Sequence, residues 1–240
     1  MNFWDKCHFL HRAWRYRLVS EKFGVGYLLN LDLNGRFCVD IGANRGIFSY
    51  WMHKKIGPNG KVFAFEPQRE LNIQLKQLKT TFGLKQLEIA EIGLSSKHQT
   101  LKMSRPINHW GGASVETPGS AGDHEEFDIE LSTLDSYFDN DSCRRIGFIK
   151  CDVEGHEFDV LKGAINSIKK GTPKILIECH DAFSENCKTF ELLESLNYSG
   201  FFFHEGGLCS INDYSSHKEA GLVHRKAMTD FVFLPNESSI

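Results

Sequence analysis

Residues 37–46 read FCVDIGANRG, in which an apolar run contains an acid and leads into two glycines four residues apart. A strand that ends in a glycine-rich turn before a helix directs backbone N–H groups at a ligand above the sheet. The phosphate-binding pattern G-x-x-x-x-G-K-[ST] does not fit, because Gly42 and Gly46 are one residue too close and Ile47 replaces the lysine. A dinucleotide site needs glycine where Asn44 stands, which weakens that interpretation. The turn therefore favours a nucleoside without phosphates, such as S-adenosylmethionine.

The length and composition of the chain fit one substantial hydrophobic core. Of the 240 residues 41% are hydrophobic, and we predict an accessory helical segment at residues 1–34 and one domain at residues 35–240. A net charge of −3 gives no overall attraction for nucleic acid or for anionic membranes. The seven cysteines form no disulfide pattern, and no apolar run approaches the roughly 20 residues of a membrane span. These features predict a soluble, cytoplasmic protein that does not bind nucleic acid.

Apolar runs and helical stretches alternate after Gly35, as in parallel sheets whose strands are joined by crossover helices. The predicted strands, two of them with their exit turns, lie at residues 37–41, 61–65, 87–94, 147–155, 173–181, 198–204 and 229–235. Residues 95–126 break into short extended pieces and a long loop, NHWGGASVETPGSAG, and loops of this length often carry function. The pattern predicts an α/β fold.

The first 23 residues form a separate amphipathic and basic segment. Mostly apolar side chains recur there at helical spacing, at Trp4, Cys7, His11, Trp14 and Leu18. Positive charge comes from Lys6, Arg12, Arg15, Arg17 and Lys22. Two interpretations remain open: an accessory helix packed on the domain, which we favour, and an interfacial helix that makes peripheral contact with a membrane or a polymer.

Acidic side chains cluster beyond the carboxyl ends of the predicted strands, where ligands bind in open parallel sheets. Asp40 lies near the end of the first strand, Glu66 directly follows the second, and Asp152 and Glu154 end the fourth. Such a surface repels phosphate and suits a sulfonium cation with an ammonium tail and a ribose diol. We predict that Glu66 accepts hydrogen bonds from both ribose hydroxyls.

The motifs VDIGANRG, KVFAFEP, TLDSYF, IKCDVEGHEFDVLKGA and KILIECH follow one another between about Arg36 and His180. In this order and spacing they resemble the FkbM family of S-adenosylmethionine-dependent methyltransferases, and DVEG followed by an acid is the most specific piece. The resemblance implies a Rossmann-like class I methyltransferase fold, with a seven-stranded, mostly parallel sheet, helices on both faces and an antiparallel last strand. It also implies methylation of a hydroxyl on a sugar, glycoconjugate or natural product. The predicted cofactor-binding residues are Asp40, Gly42, Ala43, Asn44, Gly46, Glu66, Ile92 and Asp152.

Methyl transfer to a hydroxyl requires a base at the mouth of the site. The candidates are Asp152, Glu154 and His180, and we favour His180. A divalent cation held by Asp152 with His180 or Asp181 is a less favoured alternative. Trp110, which two glycines follow, is predicted to lie in a lid over the acceptor. The predicted acceptor-binding residues are Trp110, Glu154 and His180.

Two further questions stay open at the level of sequence. Lys150 and Glu178 lie on adjacent predicted strands, where they either pair as part of the scaffold or orient the site. A protein that binds the nucleoside without catalysis is the rival to an enzyme, because a fold alone does not establish activity. Neither C-x-x-C nor H-E-x-x-H occurs, so no zinc site is predicted.

Overall fold

The computed structural model describes residues 3–107, 113–115, 124–179, 187–222 and 229–236. Its α-helices are α1 (Phe3–Arg15), α2 (Lys22–Asn30), α3 (Ile47–His53), α4 (Arg69–Phe82), α5 (Leu134–Tyr137), α6 (Asn140–Arg145), α7 (Glu157–Lys162), α8 (Ile165–Gly171), α9 (Lys188–Ser195) and α10 (Tyr214–Glu219). Its strands are β1 (Phe37–Ile41), β2 (Lys61–Phe65), β3 (Leu87–Ala90), β4 (Gly93–Leu94), β5 (Gln99–Pro106), β6 (His124–Ser132), β7 (Ile146–Cys151), β8 (Lys174–Glu178), β9 (Tyr198–His204), β10 (Gly207–Ser210) and β11 (Asp230–Pro235). A π-helical turn, Tyr16–Ser20, joins α1 to the segment before α2.

A large, mostly parallel sheet forms the centre of the fold, with strand order β10-β9-β11-β8-β7-β1-β2-β3. The strands β3, β2, β1, β7 and β8 run parallel, and β11 lies antiparallel between β8 and β9. The predicted α/β class with an antiparallel last strand is confirmed, and β10 adds a short edge strand to the seven predicted. The strands that follow β1 in the chain lie first on one side of it, as β2 and β3, and then on its other side, as β7 and β8. Ligands bind at such a change of direction in open sheets of this kind.

The segment after β3 differs from the prediction. Residues 87–94, predicted as one strand, divide into β3 in the large sheet and β4 in a second sheet of order β4-β6-β5. Part of residues 95–126, predicted as short pieces and a loop, forms β5, which pairs antiparallel with β6 along its whole length. Most positions in both strands are exposed or half-buried and many are polar, so the apolar signal of a strand is weak there.

Hydrophobic layers cover both faces of the large sheet. Val39 and Ile149 pack on the side of α7, α8 and α9, whereas Cys38 and Phe148 pack on the side of α2 and α3. All five residues of β1 are buried, as expected for a parallel strand covered on both faces. This packing fixes the carboxyl ends of β1, β2, β7 and β8, which carry the candidate site.

The helix α1 packs on the domain, but with a different face from the predicted stripe. Phe9 and Ala13 are buried, and the backbone carbonyl of Ala13 accepts a 3.3 Å hydrogen bond from an indole in α3. Trp4, Trp14 and Leu18 of the stripe are exposed by 72%, 47% and 63%, so the buried side of α1 is the one that carries Phe9 and Ala13. The close approach of α1 to α3 needs a small side chain, which Ala13 supplies and a tryptophan does not. None of the described helices has the length and apolar composition that a bilayer crossing needs.

Candidate active site

The turn after β1 takes a left-handed backbone conformation at Gly42 (φ 74°), Asn44 (φ 48°) and Gly46 (φ 75°). A Cβ on Gly42 would lie 1.9 Å from the carbonyl oxygen of Asp152, and a Cβ on Gly46 would lie 2.6 Å from two leucines of α4. Both positions therefore need glycine, whereas asparagine is one of the few other residues that tolerate a positive φ. The turn fits closely between the end of β7 and α4.

Glu66 is buried at the end of β2, with 3% of its surface exposed. Its carboxylate accepts hydrogen bonds from the backbone N–H of Asn44 at 2.8 Å, from the backbone N–H of Gln68 at 3.0 Å and from the side chain of Gln68. Burial raises the pKa of Glu66 to about 7, although these hydrogen bonds oppose the rise. A carboxylate has about four lone-pair sites, so that of Glu66 keeps acceptor capacity for a hydroxyl of a diol.

A pocket beside Glu66 extends from the large sheet to the second sheet. The apolar side chains that line it are Ile41, Phe65, Leu94, Met103, Ala113, Val115, Ile129, Leu131 and Val153. Several belong to the second sheet, which sequence analysis did not predict. Ile92, predicted to contact the cofactor, packs against the hydrophobic core, and its neighbours Gly93 and Leu94 line the pocket. Apolar walls with a few fixed polar groups suit a planar nucleoside base.

A cleft of about 490 Å³ adjoins this pocket and has Asp40 in its wall. Asp40 is fully buried, and its Oδ2 accepts a 2.5 Å hydrogen bond from the hydroxyl of Ser49. Its Oδ1 has no hydrogen-bond partner among the described residues. Burial raises the pKa of Asp40, and the nearby Lys150 opposes that rise. A buried carboxylate oxygen that lacks a partner is an acceptor available to a bound cation.

Lys150 is a buried cation among the acids at the strand ends. Its ammonium donates to the carboxylate of Asp152 at 2.7 Å. Burial acts to lower the pKa of Lys150, but attraction to Asp152 and Asp40 outweighs burial and raises it. Glu178 adds a smaller attraction, so Lys150 belongs both to the scaffold and to the wall of the cleft.

Glu178 and Asp230 lie opposite each other on β8 and β11. Burial, with a further contribution from Asp152, raises the pKa of Glu178 to about 8. Burial and then Glu21 raise the pKa of Asp230 well above its ordinary range. Sequence analysis gave no role to Asp230 or Glu21, because only the insertion of β11 beside β8 and the path of the N-terminal segment bring them to this region.

The exit turn of β7 presents Asp152 and Glu154 to both the pocket and the cleft. Glu154 has a φ of 54°, and the carboxylate of Glu157 accepts two 3.1 Å hydrogen bonds, from the backbone N–H groups of Val153 and Gly155. Glu157, the acid that follows DVEG, therefore stabilises the conformation of the turn. Its role is structural, and it fixes the direction of the two residues before it.

The predicted site residues that line the pocket or the cleft are Asp40, Gly42, Ala43, Asn44, Glu66, Asp152 and Glu154. Gly46 supports the turn through its contact with α4. His180 and Trp110 lie outside the described residues, so their roles stay predictions. Within the described ranges, no three His, Cys, Asp or Glu side chains are grouped so that they could hold a metal ion.

The sheet order, together with the glycine turn and the acids at the ends of β1, β2 and β7, defines a class I methyltransferase fold. The family model of the methyltransferase FkbM domain matches residues 40–203, and the chain belongs to this family. The matched range leaves out α1 and α2.

Two curated relatives and two solved structures are similar to this chain. Methyltransferase sdnD of Sordaria araneosa is 31% identical over 164 residues, which cover 57% of this chain and 62% of sdnD. The hexuronic acid methyltransferase AglP of Haloferax volcanii is 27% identical over 173 residues, which cover 71% of this chain and 67% of AglP. This chain therefore spans less than two thirds of the length of sdnD.

Among solved structures, the FkbM methyltransferase of Methylobacillus flagellatus KT gives a TM-score of 0.54 at 17% identity, covering 85% of this chain and 45% of that chain. The O-methyltransferase TomG of Streptomyces achromogenes, solved with S-adenosylmethionine, gives a TM-score of 0.53 at 11% identity, covering 95% of this chain and 90% of that chain. These likenesses establish the fold.

Proposed function

We propose that the protein transfers a methyl group from S-adenosylmethionine to an oxygen of a small-molecule or glycan acceptor, namely a hydroxyl of a sugar, glycoconjugate or natural product. The observation that carries the proposal is the buried carboxylate of Glu66, held by two backbone N–H groups between the glycine turn and the apolar pocket. A carboxylate in this setting is an acceptor for a ribose diol.

The other parts of the cofactor have matching groups in the same wall. The free Oδ1 of Asp40 suits the ammonium of the amino-acid tail, and the turn at Gly42 leaves no Cβ in its path. The carboxylates of Asp152 and Glu154 stabilise positive charge near the junction of pocket and cleft. When bound, the cofactor supplies an electrophilic methyl group attached to a sulfonium.

The residues proposed to act on the acceptor are His180, Asp152 and Glu154. Lys150 holds the Asp152 carboxylate at 2.7 Å, which suits Asp152 to orient a hydroxyl by accepting its hydrogen bond. His180 is our choice for the base, because an imidazole exchanges a proton near neutral pH. We propose Trp110 as the lid residue over the acceptor. In-line displacement needs little beyond this alignment and the exclusion of water.

The names of similar proteins support an oxygen acceptor on a sugar or a natural product. AglP is named for a hexuronic acid, and TomG is described as an O-methyltransferase of tomaymycin synthesis. The net charge of −3 supports the exclusion of nucleic acid. The absence of a cysteine pairing pattern in the sequence supports a cytoplasmic location.

We also propose that α1 and the π-helical turn after it make peripheral contact with an anionic membrane. Trp4, Trp14, Leu18 and Val19 are exposed by 72%, 47%, 63% and 49%. Tryptophan and leucine next to lysines and arginines are typical of helices that lie in a bilayer interface. Because the π-helical turn after α1 also lines the cleft, such contact would bring the acceptor site close to the membrane surface.

Isothermal titration with S-adenosylmethionine, followed by assays of methyl transfer to sugar and natural-product hydroxyls, tests the main proposal. Wild-type protein should bind the cofactor, and Glu66→Ala should bind it more weakly by about 1.5 to 3 kcal/mol. An unchanged affinity would remove Glu66 as the ribose acid. Binding without transfer to any acceptor would favour the non-catalytic rival, and no binding at millimolar cofactor would end the proposal.

A further inference from the structure

One wall of the cleft comes from outside the matched family range. Arg12 and Arg15 of α1 line the cleft, and so does Arg45, which follows Asn44 in the turn after β1. The carboxylates of the strand ends, among them Asp152, also line the cleft, and Glu21 lies near them. The cleft therefore has an arginine side and an acidic side, contributed by different elements of the chain.

Arg12 and Arg45 are close enough to repel each other. Burial, and after it repulsion from Arg45, lowers the pKa of Arg12. Both side chains also line a second hollow beside α4, together with Asp5. An anion bound between two guanidinium groups attracts both of them and offsets their mutual repulsion.

We propose that the methyl acceptor carries a carboxylate or phosphate group, which Arg12 and Arg45 bind with Arg15 at the rim of the cleft. The inference rests on the proposed methyl transfer and adds the charge of the acceptor to it. A guanidinium presents paired N–H donors that match both anions. Bound in this way, the acceptor directs its uncharged end at the acidic side, where Asp152 meets the pocket. The acidic side excludes a second anion, so the polarity of the cleft fixes the orientation of the acceptor.

Three hexoses that differ in charge test the proposal: D-glucuronate, D-glucose 6-phosphate and D-glucose. Each is titrated calorimetrically into the full chain saturated with S-adenosylhomocysteine. At least one of the two anions should bind about tenfold or more tightly than glucose, the gain expected from a charge-assisted pair. Arg12→Gln and Arg45→Gln should each remove this preference and leave the affinity for S-adenosylhomocysteine within about twofold, because the two ligands use different groups.

Arg144→Gln is the matched control, because it removes the same charge from a side chain that is 68% exposed and outside the cleft. It should retain the preference for the anion, and thermal melts establish that all variants are folded. Equal binding of the three hexoses, or binding of none, would overturn the proposal.

A loss of S-adenosylhomocysteine affinity in Arg12→Gln would overturn it as well, since the arginines would then hold the carboxylate of the cofactor. The affinity of the wild type for S-adenosylhomocysteine is measured first. If the wild type does not bind S-adenosylhomocysteine, the result counts against the proposed function. Hexose titrations in the absence of S-adenosylhomocysteine would still test the arginines separately.

Discussion

The ammonium of Lys150 lies 2.7 Å from the carboxylate of Asp152, and the pairing of β1 with β7 sets Lys150 opposite the fully buried Asp40. One cation thus serves two acids in the interior, and one oxygen of Asp40 has no hydrogen-bond partner among the described residues. With both carboxylates ionised, the three groups carry one net negative charge. A ligand with an ammonium or a sulfonium would neutralise it, which links the stability of this cluster to cofactor binding.

Removal of the charge of Lys150 should destabilise the fold strongly. Lys150→Met leaves the buried Asp40 and the partly buried Asp152 without their cation, and we expect the free energy of unfolding to fall by about 3 to 5 kcal/mol. Lys61→Met is the matched control, because the ion pair of Lys61 with Glu88 is 48% and 41% exposed and should contribute about 1 kcal/mol or less. Urea unfolding measures both, and equal losses for the two variants would contradict the assignment.

The protonation of Glu66 should make both stability and cofactor binding depend on pH. Its pKa rises from the ordinary 4.5 to about 7 on folding, so the folded state holds this proton more tightly than the unfolded state. Its contribution to stability is complete below pH 4.5 and is lost as the pH rises to about 7, a change of about 3 kcal/mol. Affinity for a diol should increase over the same range, because the carboxylate is the better acceptor.

Glu66→Gln tests this linkage without a change of shape. The free energy of unfolding of the wild type, relative to that of the variant, should decrease as the pH rises from 4.5 to 8. Titration with S-adenosylmethionine should show a wild-type affinity that rises with pH and a variant affinity that stays flat. Parallel pH profiles for the two proteins would show that Glu66 does not titrate in this range.

Gly42→Ala should abolish cofactor binding, because the new Cβ would lie 1.9 Å from the carbonyl oxygen of Asp152 and would force the two turns apart. Gly83 is the matched control, since its φ of 62° is also left-handed but a Cβ there meets nothing within 4 Å. Gly83→Ala should cost about 1 kcal/mol of stability through its backbone alone and should bind S-adenosylmethionine normally. Calorimetry on both variants separates loss of the turn from general strain.

The sequence predicted best those parts of the site that depend on a strand and its own exit turn. Gly42 and Glu66 fall in this group, because a glycine turn or an acid at a strand end is a local pattern. Asp230 and Arg12 join the site only through long-range packing, of β11 beside β8 and of α1 on α3. The sequence left the partner of the apolar stripe in the first 23 residues open for a related reason, since helical periodicity identifies a face without saying which partner it meets.

The exposed face of α1 should support binding to anionic vesicles. Trp4→Ala combined with Leu18→Ala removes one exposed apolar side chain from α1 and one from the π-helical turn after it, and we expect binding to phosphatidylserine-containing vesicles to fall about tenfold or more. Ile73→Ala is the control, because Ile73 is 49% exposed on α4. Co-sedimentation with vesicles measures the effect at low and high salt. Equal binding by the double variant and the control would exclude α1 as the contact.

Cys187, directly before α9, should be the most readily alkylated of the partly or fully buried thiols. Its sulfur lies 4.0 Å from that of Cys179, and a hydrogen bond from Cys179 lowers the pKa of Cys187 to about 7, although burial opposes this. Burial instead raises the pKa of Cys38 and of Cys151, so these thiols stay protonated and enclosed. Since the thiolate is the nucleophile, the rate of labelling at Cys187 should rise with a midpoint near pH 7.

Iodoacetamide labelling of the native protein over a pH series, read by mass spectrometry of the peptides, measures this midpoint at Cys187. Cys179→Ala removes the hydrogen-bond donor, and the midpoint should then move to higher pH, because the thiolate loses its principal stabilising contact. Cys209→Ala, which alters a partly buried thiol elsewhere in the chain, should leave it unchanged. A midpoint unchanged by Cys179→Ala would mean that the backbone N–H groups in the first turn of α9, and not the neighbouring thiol, activate Cys187.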